Sequence, residues 1–391
     1  MTMNQHPRDI IVRCKSGRHR VRLAKGRFWS NARCSTCGAP VDAWRVWRIL
    51  RWAAGLRVPA TLSRAHRLVF WGAVAYLSLA LVSAAALWWL GDRWWLATVL
   101  LFGPRWVLLL PLVVLVPAAI LHDRPLLVPI LVAGAVVLGP VMGFQTGWTR
   151  FFVWPDSDRD IRVATFNAKG GGTITSSLTD LMLEWDADMA AFQECSGLLR
   201  DAIDRLLDWH THSSEGLCVV SRFPIVEVRT MDREALEFAG GAGLVMTYLL
   251  EVEEGLVFLT NVHLETPRAG LERIRAGNLD EGIPVLATKS QLREIELRRA
   301  RRWADRFPAR QIVAGDFNTP PESRLYRAAW SDWQNAFSIM GRGFGATRMN
   351  GWIRARIDHV LADSTWKIVR SWVADDVGSD HRPVVAQLRR R

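Results

Sequence analysis

The stretch IVAGDFNTPP, residues 312–321, decides how this chain is read. Three apolar residues run into Gly-Asp-Phe-Asn and then a proline pair. That pattern is a buried strand delivering a carboxylate, Asp316, and an amide, Asn318, to a loop. The same texture recurs on both sides of it. DIRVATFNAKGGG (160–172) is a strand entering a glycine-rich turn. LTDLMLEWDADMAAFQE (178–194) is a helix and then a strand, and GLCVVSRFPIVEV (216–228) is two strands about a Ser-Arg-x-Pro turn. AGLVMTYLLEVEEGLVFLTNVHLE (242–265) is a hairpin, and SQLREIELRRARRWADRF (290–307) is an amphipathic helix with Leu292, Ile295, Leu297 and Trp303 among its apolar members. ARIDHVLAD and GSDHRPVVAQL close the region. Strands and helices alternate with hairpins between them, which gives mixed sheets with helices outside, in one α/β (α+β) domain over 160–391.

Polar residues of one kind gather at the C-terminal ends of these strands: Asn167, Glu194, His263, Asp316, Asn318, Asp358, Asp380 and His381. One such acid is ordinarily a cap or a surface turn. Eight are not, because burying these groups is costly unless they pair with each other or with a metal.

In order, ATFNAK, AFQE, VVSRFPI, NVHLE, VAGDFNTPP, RIDHVL and GSDHRPV resemble the endonuclease/exonuclease/phosphatase superfamily over residues 160–388. The resemblance implies a four-layer sandwich, two mixed sheets face to face with helices outside. It implies hydrolysis of a phosphoric ester by in-line attack of water. Glu194 is then the main ligand of Mg²⁺ or Mn²⁺, Asn167 supports the metal or a phosphate oxygen, and Asp380 completes the metal environment or positions the water. Asp316 orients and deprotonates the water, and Asn318 holds a phosphoryl oxygen or the water beside it. His381 contacts the phosphoryl group or protonates the leaving group, Asp358 fixes its tautomer, and His263 binds the phosphate. Arg222 reads as structural, while Arg348 and Trp352, ahead of the Asp358 strand, could flank the substrate but read more readily as surface residues. The insertion 267–289 follows His263 and is expected to overhang the site.

The other half of the chain differs. Residues 68–90 and 125–149 carry no charge, and 94–121 is apolar except at Gly103-Pro104-Arg105. About 20 apolar residues of helix cross a bilayer. The expectation is about three transmembrane helices (68–90, 106–121 and 125–148), with 94–102 as an extension of the second or an interfacial helix, and 150–159 as a linker. Residues 1–66 hold 14 Lys+Arg against 2 Asp, so the whole net charge of +12 belongs to this segment. Such a segment just ahead of a span is retained in the cytoplasm and attracted to anionic lipid. Three spans then put 160–391 outside the cytoplasm, in an integral plasma or inner membrane protein.

Of five cysteines, Cys34 and Cys37 form a Cys-x-x-Cys knuckle, and Cys14 and His19 would complete a tetrahedral Zn²⁺ site resembling a degenerate zinc ribbon. Cys195 and Cys218 read as core residues without a disulfide. The functions left open are a membrane-anchored nuclease-like phosphodiesterase, a lipid or inositol phosphate phosphatase or sphingomyelinase-like enzyme, and a membrane sensing protein acting through the N-terminal segment. The partners are the bilayer and a phosphate ester, either nucleic acid or a phospholipid headgroup, with no obligate protein partner. The arginines 293, 298, 299, 301 and 302 read as a solvated helix face rather than a nucleic-acid cradle.

Overall fold

The computed structural model describes residues 10–13, 20–23, 64–152, 157, 160–172, 177–308, 310–350 and 353–391. Cys14, His19, Cys34, Cys37 and Trp352 lie outside them, as does most of the 150–159 linker. Residues 1–68 and 69–391 are two compact units. In the first, β1 (Ile10–Arg13) and β2 (Arg20–Leu23) form an antiparallel hairpin.

The second unit begins with the apolar helices. Three are long and apolar enough to cross a membrane: Arg64–Leu90, Arg105–His122 and Arg124–Val141. Their α-helical parts are α1 (Arg64–Ala85), α3 (Leu110–His122) and α4 (Leu127–Val136). Between the first two lies a separate short helix, α2 (Trp95–Phe102), cut off by the Gly103-Pro104 break. Proline lacks the N–H that would continue the helix, so 94–102 does not extend the second long helix.

Two six-stranded mixed sheets follow. The first has the order β15-β16-β3-β4-β6-β5 and the second β11-β14-β10-β9-β8-β7. Here β3 is Ile161–Asn167, β4 Met189–Gln193, β5 His210–Ser214, β6 Leu217–Ser221, β7 Ile225–Thr230, β8 Leu244–Val252, β9 Gly255–His263 and β10 Gln311–Asp316. Strand β11 is Gln334–Asn335, β14 Asp358–Ala362, β15 Trp366–Val373 and β16 Val384–Arg390, while β12 (Arg348–Asn350) and β13 (Ile353–Ala355) form a separate hairpin. Val163, Met189 and Val219 of the first sheet meet Tyr248, Leu259, Ile312 and Val360 of the second in the central core. On the outer face of the first sheet pack α5 (Leu178–Glu184) and α6 (Leu198–Ile203). The second sheet is covered by α7 (Glu234–Phe238), by α9 (Leu279–Ala304), which follows α8 (Arg268–Arg275), and by α10 (Arg324–Trp330), while α11 (Ala336–Met340) borders the central core.

The long helix α9 corrects two readings. Leu292 and Leu297 are buried, but Ile295 is exposed and Arg293 is completely buried, so its arginines are not all on a solvated face. Arg293 Nη1 lies 2.8 Å from Asp92 Oδ1 in the turn before α2, and its Nη2 donates to Thr319 Oγ1 at 2.9 Å. Arg105, at the start of the second long helix, donates to Glu322 at 3.0 Å and to the Val141 carbonyl at 2.7 Å. The apolar helices are thus tied to the loop that follows Asp316, directly by the Arg105–Glu322 ion pair and through Arg293 of α9, which bridges Asp92 and Thr319. A third correction concerns Cys195 and Cys218, which are buried but also joined by a disulfide, with Cα atoms 5.9 Å apart. Antiparallel pairing of β4 with β6 sets Phe192 against Cys218 and brings the two thiols together across 23 residues of sequence. Sequence spacing does not reveal that register.

Candidate active site

Register explains why the eight polar residues meet. Strands β3 and β4 run parallel with Asn167 opposite Gln193, so Asn167 and Glu194 emerge together. Strands β9 and β10 also run parallel, with His263 opposite Asp316. Strand β14 is antiparallel to β10, and its first residue, Asp358, faces Asp316. Strand β16 is antiparallel to β3, so His381 just ahead of it reaches the same end. Asp358, Asp380 and His381 therefore come from strand beginnings, not strand ends. The antiparallel partners bring them to one edge of the sandwich.

The cluster is closely connected. Asn167 Nδ2 donates to Glu194 Oε1 at 3.0 Å and to Asp316 Oδ2 at 3.1 Å. Asp316 is buried, and its Oδ1 accepts from the Asn318 amide N–H at 2.8 Å. The Asn318 side chain donates to the Leu264 carbonyl at 2.8 Å. His263 Nε2 stands 3.8 Å from Glu194 and 3.9 Å from Asp316. His381 Nδ1 lies 2.9 Å from Asp358 Oδ2, and its Nε2 points to Asp316 at 3.8 Å. Asp380 sits at the flank, where its carboxylate meets Arg348 at 2.8 Å and Lys169 at 3.4 Å. Arg348 is thus part of the site rather than a surface residue.

The backbone is shaped for this. Glu194 and Asn318 adopt positive φ, +49° and +46°, a conformation uncommon outside glycine and concentrated at functional sites. Gly315 approaches β9 so closely that a Cβ there would lie 1.9 Å from the Val262 carbonyl oxygen. The glycine of GDFN is what lets Asp316 sit beside His263.

The electrostatics separate the histidines. Burial pulls the His381 pKa down, but the Asp358 and Asp316 carboxylates outweigh it and hold it at about 9. His381 is therefore an imidazolium at neutral pH. Burial, reinforced by the Asp358 carboxylate, raises Asp316, while the two histidines and the Asn318 N–H oppose that rise. His359, the next residue after Asp358, is pushed down to about 4 by burial. Its Nε2 is 2.9 Å from the Thr319 carbonyl and its Nδ1 3.3 Å from Asn335 Nδ2, so it is the neutral Nε2–H tautomer, donating to the first and accepting from the second. Sequence reading passed over His359. Alternation along β14 was the available signal, since a residue beside an inward Asp faces the opposite side, here the Phe317 and Tyr326 rings.

Among the described residues, Asp316, Asp358 and His381 are a group whose ligand atoms lie close enough to hold a metal ion. Glu194 is held beside Asp316 through Asn167 and is half-buried. The carboxylate oxygens of Glu194 and Asp316, gathered on the Asn167 amide, are hard donors that fit a divalent cation such as Mg²⁺.

The family model described as Endonuclease/Exonuclease/phosphatase family matches residues 164–381. The chain belongs to this family. Its members hydrolyse phosphoester bonds. Among solved structures, D. rerio TDP2 complexed with a single-strand DNA product is 15% identical with a TM-score of 0.46, covering 59% of this chain and 99% of its own. A mannosyl-6-phosphatase from Bacteroides thetaiotaomicron is 16% identical with a TM-score of 0.42, covering 58% and 99%. A family protein from Beutenbergia cavernae is 19% identical with a TM-score of 0.43, covering 59% and 72%. No curated protein sequence matches the chain.

Proposed function

We propose that this family member is a membrane-anchored, divalent-metal-dependent phosphoric-ester hydrolase. The observation that carries the reading is the Asn167 amide bridging Glu194 and Asp316, with the His381 imidazolium on the far side of Asp316. Such a pocket holds a water and a phosphoryl group between a base and cations. Glu194 with Asn167, and Asp380 from the flank, would hold Mg²⁺ or Mn²⁺, which supplies neutralisation of charge on the phosphoryl oxygens.

Asp316 orients the water and takes its proton as the water oxygen bonds to phosphorus. The Asn318 N–H and the His381 charge oppose the rise that burial and Asp358 impose on that carboxylate. The ester P–O bond opposite the water breaks, and the leaving oxygen takes a proton from His381. Asp358 keeps the His381 ring oriented and charged. His263, Asn318 and Arg348 supply donors for the phosphoryl oxygens.

The anchoring rests on the three long apolar helices and on exposed Trp88, Trp94 and Trp106 where they approach the domain, as in an interfacial aromatic belt. Asp92, Arg105 and Gln145, each near one end of a long apolar helix, contact the domain, which supports a reading of three crossings. The basic residues 1–66 then favour a cytoplasmic N-terminus and an extracytoplasmic domain, where a disulfide persists.

The test uses the full chain in detergent micelles with Mg²⁺ and bis(4-nitrophenyl) phosphate. Turnover should be lost on chelation and should fall by roughly 10²–10⁴ in Asp316→Asn. Unchanged turnover in that variant, or none with any phosphate ester, would refute the reading.

A further inference from the structure

Beside the cluster lies a cavity of about 660 Å³, within the roughly 300–1,000 Å³ of small-molecule sites. Val99 and Phe102 of α2 form one wall and Leu271 and Ile274 of α8 another, while Asn318 and Arg348 also line it. The cavity is therefore amphipathic along its length: aliphatic and aromatic over most of it, and polar where it meets the residues that surround Asp316.

Its apolar wall is built by α2, the short helix between the first two long apolar helices. Exposed tryptophans precede and follow this helix, at 94 and 106. Such residues sit at the level where a chain leaves the hydrocarbon. The groove thus runs from the membrane surface to the phosphoryl pocket. Arg268, Arg275 and Glu272 of α8 also line it, and with Arg348 the cations outnumber the one acid, which favours an anionic head. A nucleic-acid strand requires a cationic track with stacking platforms at each base, and Phe102 is the one aromatic side chain among the described residues of this lining. A single phosphate carrying an aliphatic chain matches both ends.

We propose that the substrate is a phosphate ester of a membrane lipid, with its phosphate among Asp316, Asn318 and Arg348 and an aliphatic chain in the groove between α2 and α8. This rests on the phosphoric-ester reading of the site. It gives the 267–289 insertion a role, since α8 is the groove's outer wall.

The experiment compares 4-nitrophenyl hexadecyl phosphate with 4-nitrophenyl methyl phosphate on the full chain in dodecyl maltoside micelles. Sharing a micelle favours the long ester for any anchored enzyme, so the deciding quantity is how the kcat/KM ratio of the two esters changes in Leu271→Asp and Ile274→Asp. The ratio is internal to each preparation, and loss of folded protein does not move it. Each buried methylene is worth roughly fourfold, so displacing two or three from the groove should lower the ratio at least tenfold. A second arm measures binding of hexadecylphosphonate and methylphosphonate by calorimetry. The long phosphonate should bind more tightly, and Leu271→Asp should reduce the ratio of the two affinities at least tenfold. Ratios and binding unchanged in both variants overturn the proposal, as does a higher kcat/KM for single-stranded DNA than for the hexadecyl ester. Absence of turnover with every ester refutes the parent reading instead, and the phosphonate arm then decides whether the groove takes a lipid phosphate.

Discussion

Replacing Asp92 by asparagine should destabilise the whole second unit, although Asp92 belongs to a turn between apolar helices. Its carboxylate faces Arg293, whose side chain is completely buried, at 2.8 Å, and also accepts from Ser323. Asn keeps the shape and tolerates the positive φ of +65° at this position, so the change removes charge and little else. Leaving a buried partner uncompensated costs about 3–5 kcal/mol. The lower end applies, because the Asn oxygen still accepts from Arg293 and the guanidinium keeps Thr319 and the Phe102 face, 5.1 Å away. At ~2–4 °C per kcal/mol, melting of the full chain in micelles should fall by on the order of 10 °C. The double variant Asp92→Asn with Arg293→Met should recover much of the loss, because removing both charges also removes the desolvation penalty. A fall of under ~2 °C in the single variant, or a double variant no better than the sum of the two singles, would refute the buried bridge. The same reasoning predicts that residues 150–391 alone are much less stable than the full chain. Excision strips Arg293 of Asp92 and Glu322 of Arg105, and Glu322 then keeps only Arg356, 3.7 Å away.

Three more outcomes follow from the site and its supports. His381 is raised from about 6.5 to about 9 by Asp358 and Asp316 against burial, so its ion pair stabilises fully below pH ~6.5 and is lost as pH rises through about 9. A kcat profile should fall along that limb, and Asp358→Asn should move the limb to lower pH. His359 is lowered to about 4 by burial, so the unfolded chain takes up a proton that the folded one refuses. Stability should decline as pH falls from ~6.5 towards 4, and His359→Gln should flatten that part of a denaturant titration. Reducing Cys195–Cys218 opens a 23-residue separation, worth about 3 kcal/mol in loop entropy; equal denaturation midpoints with and without reductant would contradict this.

The fold and the polar cluster were legible because each residue of the cluster lies in a strand or within a few residues of one terminus of it, marked by an apolar run, and those termini share an edge once strand order is known. Asp316 and Asn318 announce themselves by following Ile312, Val313 and Ala314. What was not legible depends on which side of an element faces which neighbour. Five arginines on α9 look alike in sequence, and only the packing of α2 against this helix singles out Arg293 for burial and makes Asp92 its counter-ion. Arg348 looked like a surface residue until the β12–β13 hairpin set it against Asp380 and His381. The disulfide was hidden in a strand register, and His359 behind its catalytic neighbour. These misses share a cause. Each residue's role is set by a partner between 23 and 201 positions away, and composition and periodicity carry no record of such pairings. The apolar helices and the loop after Asp316 therefore look separate in the sequence, while Arg293 holds Asp92 with one nitrogen and Thr319, next to Asn318, with the other. On the proposed reading, a change in how α2 sits on the membrane has a direct covalent and ionic route to the loop that would hold the phosphate. For an enzyme acting on a membrane lipid, that route couples the position of the catalytic loop to the surface from which the substrate arrives.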